Sequence, residues 1–167
     1  MRPSPLVLRE YFTTDFRFSA QPNYQGDDRH TGAINPADLK VEVIEGQQED
    51  NHLIRNCQLS LELEDPTGGK FPYTFSITLL GFFEVVDWWD PDKVDSLVSA
   101  NAPALLYSAA RETIALLTGR GPFSRILLPS VTFVKVPAQS TEGQSKQLPP
   151  AQTKLKGNGK RPRRKVL

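Results

Sequence analysis

The chain is poor in the residues that carry covalent and metal chemistry. Among its 167 residues there is one cysteine, Cys57, and there are two histidines, His30 and His52. A lone cysteine excludes an internal disulfide and a cysteine-based zinc site. Two histidines in or beside polar stretches make a poor ligand set. Long apolar runs are missing too, and nothing approaches the roughly 18 residues a membrane helix needs. The opening MRPSPLVLREYF has only a three-residue apolar run and no small-residue cleavage site, so it does not read as a signal peptide. A cytoplasmic protein without membrane insertion is expected.

Nucleotide and catalytic signatures are absent as well. Gly68-Gly69-Lys70 evokes a phosphate loop, but that loop needs a glycine where Glu64 stands and a Ser or Thr where Phe71 stands. Gly119-Arg120-Gly121 follows a helical pattern instead of opening one. The acids Asp87, Asp90, Asp92 and Asp95 lack the glycine and terminal glutamate of a calcium loop, and read as helix-start carboxylates. No serine sits in a nucleophile elbow. Neither a cofactor nor an enzyme is expected.

Charge is balanced overall, with 20 basic against 19 acidic side chains, but it is not evenly spread. Seven of the basic residues fall in Lys154–Lys165 without an acid. That leaves 13 against 19, about −6, for the first 153 residues. The segment 137–167 loses periodicity and fills with Gln, Ser, Pro, Gly and Lys, and reads as a disordered basic tail behind a domain at 1–136. Such a tail either solubilises and docks on its own acidic body or binds nucleic acid or an acidic partner, although no aromatic residues are interleaved for base stacking.

What the chain does have is pattern. Leu6 to Phe18 reads as a strand with Phe12, Phe16 and Phe18 on one face and Tyr11, Asp15 and Arg17 on the other. A polar crossover loop, 19–37, leads to a second strand at Leu39–Ile44 and a turn at Gly46–Asn51. Cys57, Leu59, Leu61 and Leu63 alternate with polar residues, and after the turn at Asp65–Gly69 the alternation resumes through Phe71, Tyr73, Phe75, Ile77 and Leu79. This is a hairpin of an antiparallel sheet covered on one side. Gly81 is expected to permit a bulge or bend. Asp90-Pro91 marks a short helix carrying Val94, Leu97 and Val98, and a second helix is expected from Ala102 to Thr118, stopped by Gly119 and Gly121. Ser124–Val136 reads as an extended apolar arm.

Several apolar residues exceed what one core face can absorb. Trp88 and Trp89 are adjacent, as are Phe82 and Phe83, and Ile126-Leu127-Leu128 is continuous. They are either buried in the protomer or an oligomer, or they line a hydrophobic groove for another polypeptide. Arg111-Glu112 is either a solvated pair or part of a contact with a symmetry mate.

The words of the segment Asn101–Phe133 resemble the SecB family of protein-export chaperones. Tyr107, Ala110, Arg111 and Glu112 match its helix, Arg120, Gly121 and Phe123 its Arg-Gly-x-Phe turn, and Leu128 and Phe133 its arm. Thr13, Asp15 and Phe18 are similar to its first strand, and Gly81-Phe82-Phe83 to the end of its hairpin. The resemblance covers roughly 8–136. It implies an α+β fold, a four-stranded antiparallel sheet with helices packed on one face, assembled as a dimer of dimers. It also implies ATP-independent holding of unfolded clients, either preproteins or an antitoxin.

On that resemblance, Phe82, Phe83, Trp88, Trp89, Phe123, Ile126, Leu127, Leu128 and Phe133 are the client-binding candidates. Tyr107, Arg111 and Glu112 are the oligomer-interface candidates, and Asp15 is a remnant of the docking site for the SecA motor. The chain departs from the export pattern where Ser19 and Ser76 replace expected acids, where Val134-Lys135-Val136-Pro137 cannot readily start the family's next helix, and in its basic tail. These departures turn the expectation toward a dedicated client such as an antitoxin.

Overall fold

The computed structural model describes residues 3–26, 34–48, 51–66 and 69–134, the side chains of Gln48 and His52 excepted. The expectations for His30 and for the segment 137–167 lie outside these residues. The described residues fall within one compact unit, Met1–Lys135.

Four antiparallel strands form a single sheet: β1 (Leu6–Ala20), β2 (Lys40–Gln48), β3 (Asn51–Leu63) and β4 (Tyr73–Val85), in the spatial order β1-β4-β3-β2. One helix, α1 (Val94–Thr118), crosses β4, β3 and β1 on one face. The alternating residues of the central hairpin make the core. Cys57, Leu59, Leu61 and Leu63 of β3 pair with Gly81, Leu79, Ile77 and Phe75 of β4, all turned toward α1 and all buried. Burial pushes the Cys57 thiol up to about 12, with the Glu45 carboxylate opposite it on β2 adding to the shift.

Three expectations are corrected. The first concerns β1. Its register against β4 shifts at Arg9 and again at Thr14, where an extra residue bulges out of the ladder. Each bulge inverts the alternation. Tyr11, Phe16 and Phe18 therefore share the α1 side, opposite Gly81, Ile77 and Phe75. Phe12 joins Asp15 and Arg17 on the far side, opposite Leu80 and edge-on to Phe82 at 6.3 Å.

The second correction is at Gly81. The β3–β4 ladder runs through it without a shift, so it is neither bulge nor bend. A Cβ there would lie 2.8 Å from Leu106 and 2.9 Å from the Phe83 ring. The missing side chain is the socket into which Leu106 of α1 packs.

The third is the helix. Instead of a short helix and a second one from Ala102, α1 is a single element of 25 residues, preceded by a 3-10 turn at Pro91–Lys93 that Asp90 caps. Val94, Val98, Ala102, Leu106, Ala110, Ile114 and Thr118, each four residues on, are all buried. That i±4 ridge runs obliquely around the helix, and lets a straight rod stay in contact with a twisted sheet. Pro103 sits inside the helix and denies the Ser99 carbonyl its amide partner. The continuous ridge outweighs that loss. Arg55, buried on the α1 side of β3, holds the first helical turn through Asp95 at 3.1 Å.

The ladder limits differ from the sequence reading as well. β2 extends to Gln48 and β3 begins at Asn51, so strand takes in both ends of the expected turn at Gly46–Asn51, whose two central residues lie outside those described.

Candidate functional site

The start of the arm after α1 is fixed by two hydroxyl groups. Thr118, the last helical residue, donates its Oγ1 to the Ile114 carbonyl at 2.7 Å and accepts the Ile126 amide at 3.0 Å. Tyr73, fully buried at the start of β4, accepts the Phe123 amide at 2.8 Å and donates to the Phe123 carbonyl at 2.9 Å. Gly121 lies against the same ring, and a Cβ there would sit 2.4 Å from the Tyr73 hydroxyl. The Arg-Gly-x-Phe word thus has a physical cause. The glycine lets the backbone reach Tyr73, and the Phe123 ring packs edge-on to Tyr73 at 5.7 Å and to Tyr24 at 5.5 Å.

From there the arm runs back along α1. Ile126 and Leu128 are buried and Leu127 between them is 45% exposed, the alternation of an extended chain on a core. Tyr107 of α1 donates to the Pro129 carbonyl at 2.8 Å, and its ring meets Phe133 edge-on at 6.0 Å. Burial raises the Tyr107 phenol above its ordinary value, with Arg111 acting weakly against it. Val134, 60% exposed, lines a cavity of about 340 Å³ with Glu45 of β2 and Asp95, Ser96, Ser99 and Ala100 of α1.

The structure gathers some of the client-binding candidates and separates others. Phe123, Ile126, Leu127, Leu128 and Phe133 lie along the arm, with Leu127 the most open of them. Phe83, Ile126 and Leu128 belong to the core. Phe82 faces away from α1. Trp88 is exposed and Trp89 half-buried, edge-on to each other at 5.9 Å in the turn between β4 and Pro91.

Of the interface candidates, Tyr107 is engaged by its own arm, Arg111 is half-buried and Glu112 is exposed on the outer side of α1 near Leu105 and Leu116. Asp15 lies on the far face of the sheet, paired with Arg17 at 3.3 Å. On that face Ser19 and Ser76 line one open cavity of about 450 Å³ with Arg17, Glu62 and Thr74.

Sequence reasoning missed Val41 and Val43, which lie on the α1 side of the edge strand β2 and remain over a third exposed, and Tyr11 at the other edge. The alternation of Val41 and Val43 with Lys40 and Glu42 carried the signal for β2. For Tyr11 the bulges hid it. Among the described residues no group of three or more His, Cys, Asp or Glu side chains is placed to hold a metal. Among the same residues no helix is long and apolar enough to cross a membrane.

The family model described as preprotein translocase subunit SecB matches residues 5–144. The protein-export protein SecB of Bradyrhizobium diazoefficiens is 29% identical over 142 residues, covering 85% of each chain. That of Hahella chejuensis is 27% identical over 145 residues, covering 84% of this chain and 86% of the other. Among solved structures, a SecB-like chaperone of Mycobacterium tuberculosis in complex with a peptide from the HigA1 antitoxin shares the fold, with a TM-score of 0.52 at 16% identity over 76% of this chain and 91% of that one. The class so defined is a chaperone and not an enzyme. The chain belongs to the SecB family.

Proposed function

We propose that this protein is an ATP-independent holdase that keeps a client polypeptide unfolded along the arm Ser124–Val134. The observation that carries the reading is the arm itself. It is tied down by Tyr73, Thr118 and Tyr107, yet leaves Leu127 and Val134 open, with Val41 and Val43 open on the same side of the sheet. Anchored apolar surface of this kind suits an unfolded chain, and binding only the unfolded state holds it there by mass action. Phe123 and Phe133 flank the open positions, and Trp88 offers a further contact at the end toward which the arm runs. The buried Phe83, Ile126 and Leu128 support the surface from below.

A dedicated client such as an antitoxin is the subtype we place ahead of general export. A structural neighbour holds an antitoxin peptide, and the far face carries Ser19 and Ser76 where export relatives are expected to carry motor-docking acids, leaving Asp15 paired with Arg17. The working domain is 1–136, with 137–167 as a basic tail, and the location is cytoplasmic. Incubated with an unfolding substrate and no nucleotide, the protein should suppress light scattering at equimolar ratio. No suppression at several-fold excess sinks the reading.

The same reading includes self-association as a dimer of dimers. Edge strand β1 exposes Tyr11 and Phe16 on one side of the sheet and Phe12 on the other. Exposure on both sides of one edge suits continuation of the sheet by a second copy, since a paired strand covers both at once. The outer side of α1, with Leu105, Arg111, Glu112 and Leu116, supplies a second surface. Light scattering should return about four times the 18.7 kDa of one chain, and Tyr11→Lys with Phe16→Lys should reduce that mass. A monomer in the unmodified protein, or no change in the double variant, removes the edge-pairing model.

A further inference from the structure

The two open positions of the client arm lie in unlike electrical surroundings. Leu127 follows the turn that carries Arg120 and Arg125. Arg125, Ile126, Leu127 and Leu128 are exposed and buried by turns, which puts the Arg125 and Leu127 side chains on the same outer side. Gly119 lets the Arg125 stem lie close over the helix end, since a Cβ there would sit 3.5 Å from its Cδ. Arg120 follows that glycine directly and is exposed too. Two arginines thus share the end of α1 from which the arm departs.

At the other end of the arm, Val134 shares its cavity with Glu45 and Asp95. Glu45 is exposed and has no basic partner among the described residues. Asp95 meets the buried Arg55, yet its own side chain is 92% exposed, so its charge still reaches the cavity. Ser99, whose carbonyl Pro103 leaves without a helical amide, belongs to the same wall.

The arginines are not spoken for elsewhere. Arg9, Arg17, Lys40, Arg55, Lys70 and Lys93 each hold an acid, whereas Arg120 and Arg125 have no acid partner among the described residues. Capping of α1 does not call for them, because the amides of Gly119, Arg120 and Gly121 already serve the Ala115, Leu117 and Thr118 carbonyls. Leu127 and Val134 are seven residues apart in sequence, about 23 Å along an extended chain. That is more than twice the roughly 10 Å screening length at 0.1 M salt, so the two ends act on a bound chain separately and do not cancel.

We propose that the arm selects and orients its client by charge. Acidic residues of the client lie at Arg120 and Arg125, an apolar stretch of about eight residues passes Leu127 and Val134, and basic residues lie at Glu45 and Asp95. This rests on the holdase reading and adds to it the class of segment that the arm prefers. The first 153 residues carry a net negative charge, so attraction at long range favours a client that is basic at both ends. Only the local arrangement favours a polarised one. An extended client satisfies it in either chain direction, since side chains make the contacts.

The test uses the full chain and labelled peptides that share an apolar centre of about eight residues, read by fluorescence anisotropy at low salt. One carries glutamates at one end and lysines at the other, one lysines at both ends, one glutamates at both, and one no charge. Each exposed ion pair contributes a factor of up to about five, so the polarised peptide should bind about tenfold tighter than either peptide of uniform charge. That margin should close at about 1 M salt, where the screening length is about 3 Å. A benzophenone at the glutamate end should attach close to Leu127, and one at the lysine end close to Val134, whichever end comes first in the peptide. Arg120→Glu with Arg125→Glu alters exposed side chains only, and should shift the preference to the peptide with lysines at both ends. Glu45→Lys should shift it to the peptide with glutamates at both ends. Partial unfolding weakens binding but does not exchange one preference for another. The proposal is overturned if all the peptides bind equally, if the peptide with lysines at both ends binds tightest to the unmodified chain, if the two labels attach at the same sites, or if the variants keep the original preference. Should even the uncharged peptide fail to bind, the holdase reading falls and this proposal with it.

Discussion

Gly121→Val should lower the melting temperature by roughly 10 °C and abolish client holding. A side chain at this position meets the Tyr73 hydroxyl at 2.4 Å and its ring at 2.8 Å. That ring has no room to retreat: it is fully buried, stacked on Phe18 at 5.3 Å and edge-on to Phe123. Overpacking a rigid core costs about 1–3 kcal/mol, and valine adds two methyl groups beyond the Cβ that already collides. The backbone must move away, and with it go both hydrogen bonds between Tyr73 and Phe123. Leaving such groups buried and unpaired costs about 1–3 kcal/mol more.

A total near 3 kcal/mol at about 3 °C per kcal/mol gives the stated shift. Tyr73→Phe keeps the ring and removes only the hydroxyl, so it should show a smaller drop with the same sign. Gly69→Ala is the control, since nothing lies within 4 Å of a Cβ at that position. Thermal unfolding measures the first effect, and exchange of the Ile126 amide reads release of the arm. An unchanged melting temperature in Gly121→Val rules out Tyr73 as the anchor.

Much of the sheet was legible because one of its faces is buried and the other is not. Where both strands of a pair alternate strictly, as in Cys57–Leu63 against Phe75–Gly81, pattern and structure coincide. β1 broke that logic through two single-residue bulges, which leave no mark in composition yet exchange the sides of Phe12 and Tyr11. The helix was misjudged for a different reason. Pro103 looks like a boundary when read locally, whereas the burial ridge from Val94 to Thr118 shows that tertiary contact outweighs one lost hydrogen bond. Gly121 and Tyr73 are far apart in sequence, and no local pattern ties a glycine to a tyrosine hydroxyl. For the arm, the run Ile126-Leu127-Leu128 announced excess apolar surface. Only the anchoring at Thr118 and Tyr107 decides that Leu127 is the member left outside.

That last distinction separates stability from function within three consecutive residues. Leu127→Asp with Val134→Asp should reduce affinity for an unfolded substrate about a hundredfold, which corresponds to about 2.7 kcal/mol, with little change in the melting temperature. Both side chains are close to half exposed or more, and surface substitutions of this kind shift stability by about 0.5 kcal/mol or less. A bound apolar client changes the balance. It would bury each new carboxylate without a partner, and desolvating an unpaired polar group costs several kcal/mol. Leu128→Asp reverses the pattern. Its side chain is 1% exposed, so the charge is buried in the free protein and the loss appears in thermal unfolding before any client is added. Substrate anisotropy and thermal melts on the same preparations measure both effects. If the Leu127 and Val134 double variant holds substrate as tightly as the unmodified chain, the client does not lie on the arm, and the exposed Trp88 and the edge of β2 become the surfaces to vary.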